Sequence, residues 1–273
     1  MQICSELLIA QTWNVELAYA AGDGISRELE DFGFDGWYGP SMNLHRSAFG
    51  GRDFEYYSED GVLSAQMAMA EAQAAVDHNI YPYLKHFILN EQEINRNALL
   101  CTWFTEQSLR ELYAKPFEAC VKANLDGALA IMSSYNFLGT TWTAESRDLL
   151  YGILREEWGF RGMVLSDYFG NYGYMDADRA VRGGTDIMLG TAGNDAVMTD
   201  LSATSVLAMR QAAKNILYTV VNSGAYDDYV PGAIPDWKKI LYGADAALGA
   251  VWIALEAAAV ISYRKKVERK ADR

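Results

Sequence analysis

Short runs of apolar residues, each separated from the next by a longer amphipathic stretch, leave most of this chain few ways to fold. Residues 36–44 (GWYGPSMNL), 80–87 (IYPYLKHF), 129–134 (LAIMSS), 163–166 (MVLS) and 186–189 (DIML) read as strands. Residues 14–32, 62–78, 105–124, 145–158 and 203–221 have the spacing of helices, the last with Ser202 or Thr204 as its N-cap. Strands alternating with helices make βαβ units and a parallel sheet. Apolar runs without polar alternation fit strands covered on both faces. About five strands are countable, and a closed (β/α)8 barrel needs eight. Two architectures remain: an open, doubly wound sheet, or a barrel whose first strands are absent.

Polar residues gather where these strands end. Asn43, His45 and Arg46 follow the first, and Lys85 and His86 close the second. Tyr135 and Asn136 follow the third, and Asp167 follows the fourth. In parallel α/β folds ligands bind at the carboxyl ends of the strands, so four successive deliveries to one edge predict a site there.

The remaining residues behave differently. Residues 223–239, with Gly, Pro and Asp in place of periodicity, read as a linker. Residues 240–263 (ILYGADAALGAVWIALEAAAVISY) are 24 apolar-rich positions flanked by Trp237 and Tyr263. That length suits a transmembrane helix with interfacial aromatics. Residues 264–273 carry six basic and two acidic side chains, whereas residues 1–263 carry 17 basic and 34 acidic ones. The basic tail is expected on the cytoplasmic side and the acidic body on the other, as a single-pass protein. Asp245 and Glu256 lie inside the apolar run, eleven apart and so on one helical face. That keeps a surface-lying amphipathic helix as the competing reading.

Composition narrows the function. With 51% apolar and 22% charged residues the chain is that of a folded protein, and its net charge of −13 excludes nucleic acid as an expected partner. Cys4, Cys101 and Cys120 form no metal or disulfide spacing. No nucleotide-binding glycine motif follows a strand. Neither a cofactor nor a metal is expected. His78 reads as an exposed residue at a helix end.

Three longer stretches carry specific chemistry: residues 39–60 (GPSMNLHRSAFGGRDFEYYSED), 84–96 (LKHFILNEQEINR) and 157–170 (EWGFRGMVLSDYFG), the last preceded by IMSSYN at 131–136. Together they resemble glycoside hydrolase family 3, the family of many β-glucosidases. The family patterns G-R-x-x-E, K-H-F with N-x-Q-E and R, M-S-x-Y-N, and G-F-x-G-x-V-x-S-D-aromatic occur here in that order. The resemblance implies a TIM-type barrel, incomplete at its N-terminus, over residues 1–222. The linker, the helix at 240–263 and the basic tail would follow it.

It also implies a carbohydrate substrate and a retaining mechanism. In that mechanism one carboxylate attacks the anomeric carbon and a second carboxyl group protonates the leaving oxygen. Asp167 is implied as the nucleophile. Arg52, Lys85 and His86 are implied to bind sugar hydroxyls, Tyr135 to steady the nucleophile, and Tyr168 to stack on a sugar where the family often has tryptophan. Glu91 and Glu93 are expected to be structural, and His45 and Arg46 to support the site. The residues after K-H-F are Ile88, Leu89 and Asn90 in place of F-P-G-H-G. That points away from the N-acetylglucosamine-cleaving branch. The family's general acid/base glutamate lies on a separate α/β sandwich domain that these residues do not contain, so another domain or chain is expected to supply it. The alternative is a membrane-tethered, sugar-binding remnant without catalysis.

Overall fold

The computed structural model describes residues 3–123, 125, 127–170, 172–191, 196–227 and 236–271. Among these the strands are β1 (Gly36–Trp37), β2 (Tyr81–Phe87), β3 (Cys101–Thr102), β4 (Ala130–Ser133), β5 (Phe137–Leu138), β6 (Thr141–Trp142) and β7 (Val164–Leu165). The main sheet is parallel and ordered β1-β2-β4-β7, which is also the order along the chain. Ile187 then makes a parallel bridge to Leu165. Each pass therefore moves the same way round. A doubly wound sheet must reverse its strand order at a switch point. Among the described residues no reversal occurs, so the winding is that of a barrel and the open alternative falls. The region expected as the first strand is ladder-paired only at Gly36–Trp37, with a separate bridge from Ser41 to Lys85. Pro40 interrupts it because proline has no N–H to give to a ladder.

The helices start where side chains supply the missing acceptors. Asn14 caps Val15–Phe32, its side chain taking the N–H groups of Glu16 and Leu17. Asp60 does the same for Gly61–Asp77, and Ser202, not Thr204, caps Ala203–Val221. Two helices differ from expectation. Residues 105–124 form three pieces, Glu106–Ser108, a π-wound turn at Leu109–Tyr113 and Lys115–Lys122. Pro116 near the start of the third piece cannot continue the hydrogen-bond ladder. The stretch expected at 145–158 is π-wound over Asp148–Glu157, with Trp158 N–H donating to the Ile153 carbonyl five residues back.

Both faces of the sheet are covered. Leu84, Ile131 and Val164 share one core with Met67, Phe117 and Leu150 from the helices. Tyr83, Ala130, Met132 and Leu165 form a second cluster on the other face, with Ile187, Leu189 and Ile216 against it. This period-2 division is why the strands read as unbroken apolar runs. The backbone approaches itself closely at Gly162, where a Cβ would lie 2.1 Å from the Leu129 carbonyl oxygen. A buried ion pair locks the end of the sheet. Arg155 Nη2 lies 2.7 Å from Asp186 Oδ2, which also accepts the Val164 N–H, while Asn215 donates to Asp186 Oδ1.

The chain divides into two units, residues 1–228 and 229–273. Of the expected linker, residues 228–235 lie outside the described residues, and Gly224–Asp227 is a helical turn. Among its described residues the second unit is a helix, Asp236–Ala271, of 36 residues. It begins before the expected position 240. Its segment Trp237–Arg264 is long and apolar enough to cross a membrane by length and composition.

Candidate active site

The carboxyl ends of the strands meet at Asp167, two residues beyond β7. The residue is 9% exposed. Its Oδ1 accepts the N–H of Tyr168 at 2.7 Å, which fixes the carboxylate plane. Its Oδ2 is buried without a hydrogen-bond partner. Burial pushes the Asp167 carboxyl up, and the Tyr168 N–H and the charges of Arg52, Arg96 and Lys85 push it back down. One oxygen is therefore anchored and the other bare, in cationic surroundings.

His86 approaches that bare oxygen, with Nε2 4.0 Å from Asp167 Oδ2, too long for a hydrogen bond. Burial holds the imidazole well below its ordinary pKa, and Arg52, Lys85 and Arg96 add to this, so it is neutral at pH 7. Asn43 clamps its backbone from both sides: Asn43 Oδ1 accepts the His86 N–H at 2.8 Å, and Asn43 Nδ2 donates to the His86 carbonyl at 3.0 Å. The pairing register of β2 against β4 shifts between Leu84 and Phe87. Lys85 and His86, adjacent in sequence, both lie near Asp167, His86 at 4.0 Å and Lys85 close enough for its charge to act on the carboxyl. Burial lowers the Lys85 ammonium, with Glu55 and Asp167 opposing.

Arg52 bonds the Glu55 carboxylate through Nε, and its Nη1 lies 3.7 Å from Glu93 Oε1. Glu55 also takes the Ser41 hydroxyl at 3.1 Å and stands 3.9 Å from Lys85 Nζ. Glu55 is thus the hub that spaces the two cations, and the closing acid of the G-R-x-x-E pattern was its only sequence signal. Tyr135 is buried, and burial followed by the Asp167 charge raises its phenol. Tyr135, expected to steady the nucleophile, makes no hydrogen bond to Asp167 Oδ2, which has no partner. Tyr168 is 39% exposed, its hydroxyl 3.3 Å from Thr191 Oγ1.

Arg96 was not among the expected site residues, yet it belongs here. Its guanidinium sits 4.6 Å above the Tyr135 ring centroid, pairs with Glu93 at 2.7 Å and lowers the Asp167 carboxyl. The arginine closing the N-x-Q-E…R pattern carried that information. Glu91 accepts from Leu44 N–H and Asn43 Nδ2, each at 3.4 Å, and burial raises it to about 7. Glu91 and Glu93 hold neighbours in place. His45 Nε2 contacts the carbonyls of Asp53 and Tyr56, and Arg46 lies over the Tyr113 ring. His78, expected to be exposed, is partly buried and ion-paired with Asp23 at 2.9 Å and Glu30 at 3.0 Å. Among the described residues, no group of three or more His, Cys, Asp or Glu side chains is arranged to hold a metal.

The chain is similar in sequence and fold to known proteins. The glycosyl hydrolase family 3 N-terminal domain matches residues 3–221. β-Glucosidase A of Butyrivibrio fibrisolvens is 41% identical over 187 residues, 68% of this chain and 22% of that protein. A β-glucosidase of Rhizobium radiobacter is 41% identical over 166 residues, 61% of this chain and 20% of the other. Among solved structures, β-glucosidase 3B from Thermotoga neapolitana in complex with glucose superposes with a TM-score of 0.73 at 32% identity, over 87% of this chain and 34% of that one. The chain spans about a fifth of the length of these two curated relatives.

Proposed function

The chain belongs to glycosyl hydrolase family 3, and on that premise we propose that it is the barrel part of a β-glucosidase-like enzyme that cleaves terminal β-linked glucose-like sugars with retention. The observation that carries the reading is Asp167: a buried carboxylate at a strand end, one oxygen pinned by Tyr168 N–H and the other bare. In this mechanism Asp167 Oδ2 attacks the anomeric carbon as the bond to the leaving oxygen breaks, giving a glycosyl-enzyme intermediate. The positive charges of Arg52, Lys85 and Arg96 offset the burial that disfavours ionised Asp167. The same donors suit sugar hydroxyls, because charged groups make the stronger hydrogen bonds. Neutral His86 can donate to a hydroxyl or accept from one. Tyr168 presents its ring from the exposed side.

The proton for the leaving oxygen comes, on this proposal, from a glutamate outside these 273 residues, which then activates the water that releases the sugar. Leaving-group dependence tests this. Acting alone, the chain is expected to hydrolyse 2,4-dinitrophenyl β-glucoside slowly, since that group departs without a proton, and to leave cellobiose essentially untouched. Equal rates on both substrates would put the acid inside this chain. Reversible sugar binding with no covalent intermediate would support the non-catalytic remnant.

We propose further that Trp237–Arg264 anchors the protein in a membrane, with the basic residues 264–273 on the cytoplasmic side and the acidic body on the other. The apolar segment and the six adjoining basic residues support this reading. Alkaline carbonate extraction is expected to leave the protein in the membrane pellet, and complete release would overturn the anchor.

A further inference from the structure

A second cleft, of about 370 Å³, is lined in part by Glu91, which accepts a hydrogen bond from Asn43 Nδ2. Trp103, Phe104, Tyr113, Arg46, Glu91 and Gln92 line it. Arg52, Lys85, His86, Tyr135 and Asp167 are not among its lining residues. Its volume is within the range of small-ligand sites.

Its parts have an order. Trp103 is 76% exposed, an unusual state for the largest apolar side chain. The benzo edge of its indole rests on the hairpin turn between β5 and β6: a Cβ at Gly139 would lie 3.5 Å from Trp103 Cζ3. Gly139 has φ +59, a conformation that favours glycine, and the ring lies at ordinary contact distance from it. The turn therefore backs the indole, leaving it as a plate open to solvent. Arg46, also in the lining, is held over the Tyr113 ring, its Cζ 5.5 Å from the centroid. Glu91 and Gln92 add planar acceptors and donors.

From this arrangement the geometry points to a second carbohydrate subsite, in which a pyranose of a β-linked gluco-oligosaccharide stacks on Trp103 while Arg46, Glu91 and Gln92 bond its hydroxyls. Such a sugar presents axial C–H bonds on its faces and hydroxyls around its rim. It therefore matches an aromatic plate ringed by planar polar groups better than a purely apolar ligand does. The choice of a gluco-oligosaccharide rests on the proposed function.

The test uses the full 273-residue chain in a detergent without a sugar headgroup, with 1-deoxynojirimycin saturating the Asp167 site. Cellotetraose is titrated and followed by calorimetry. Binding is expected to persist with the Asp167 site blocked, to weaken at least about tenfold in Trp103→Ala and to recover largely in Trp103→Phe, which keeps a plate. Circular dichroism checks that each variant is folded. Cellotetraose that fails to bind, or that binds Trp103→Ala as tightly as the parent, would overturn the subsite. If 1-deoxynojirimycin itself does not bind, the proposed function fails, while the Trp103 dependence still decides the subsite.

Discussion

The helices of the body and the long C-terminal helix use apolar residues in opposite ways. In Gly61–Asp77, eleven of seventeen residues are buried, and the polar ones face outward or, like Glu71, are enclosed. In Asp236–Ala271, Trp237, Leu248, Trp252 and Leu255 are each at least 62% exposed. A helix buried on one stripe draws its stability from tertiary packing. One that is apolar all round needs a different medium, and lipid is the medium proposed here. The body has therefore committed its polar residues to specific partners, whereas the helix is specified mainly by length and hydropathy. Perturbing single side chains should hurt the body and spare the helix.

The largest expected effect is at Asp167. Asp167→Asn should lower turnover of the dinitrophenyl glucoside by at least about 10⁴-fold, because it removes the bond-forming oxygen. Turnover within tenfold of the parent would move the nucleophile elsewhere. Next is the ion pair that frames β7. Asp186→Ala strands Arg155, whose side chain is 8% exposed, and should destabilise the body by about 3–5 kcal/mol in urea unfolding. A loss below about 1 kcal/mol would show that water reaches the pair.

A pH effect follows from the acids under the sheet. Burial raises Glu71 to about 8 and Glu6 to about 7, each also raised by another carboxylate. Glu71 Oε1 and the Tyr57 hydroxyl are buried without partners. Both acids keep their protons in the folded chain at pH values where the unfolded chain has lost them. Stability should therefore be highest below about pH 4.5, as far as these two groups are concerned, and fall as pH rises through about 7 and 8. Glu71→Gln should flatten that slope and stabilise the body at pH 8 by on the order of 2 kcal/mol. An unchanged slope in thermal melts would show Glu71 ionised in the fold. The smallest effect tests the comparison itself. Deleting residues 236–273 should leave the melting midpoint of the body where it was, while removing the protein from the carbonate-resistant pellet. A body that melts several degrees lower would mean that the helix supports it.

Much of this was legible because it is local. Ser202 sits immediately before the helix it starts and was one of two caps offered there, and the apolar runs marked β2, β4 and β7. Asp167 followed from the strand end and the motif around it. What escaped was non-local. Glu55 gains its role by facing Lys85, thirty residues on, and Arg96 by lying over Tyr135. The Glu6–Glu71 pair spans two helices, and nothing in either local sequence marks a shared burial. The π-wound turns escaped because amphipathic spacing tolerates one extra residue per turn. His78 was misread because its partners, Asp23 and Glu30, come from a helix some fifty residues away.

The central claim is that Asp167 forms a covalent bond to sugar. A 2-deoxy-2-fluoro-β-glucosyl fluoride tests it most directly. Fluoride leaves without a proton, so no acid from outside the chain is needed, and the 2-fluorine slows release of the intermediate. Mass spectrometry of the intact chain should show one added 2-deoxy-2-fluoroglucosyl group, with the peptide bearing Asp167 as its carrier and no label in Asp167→Asn. A folded parent that stays unlabelled, or a label carried by another residue, would contradict the account.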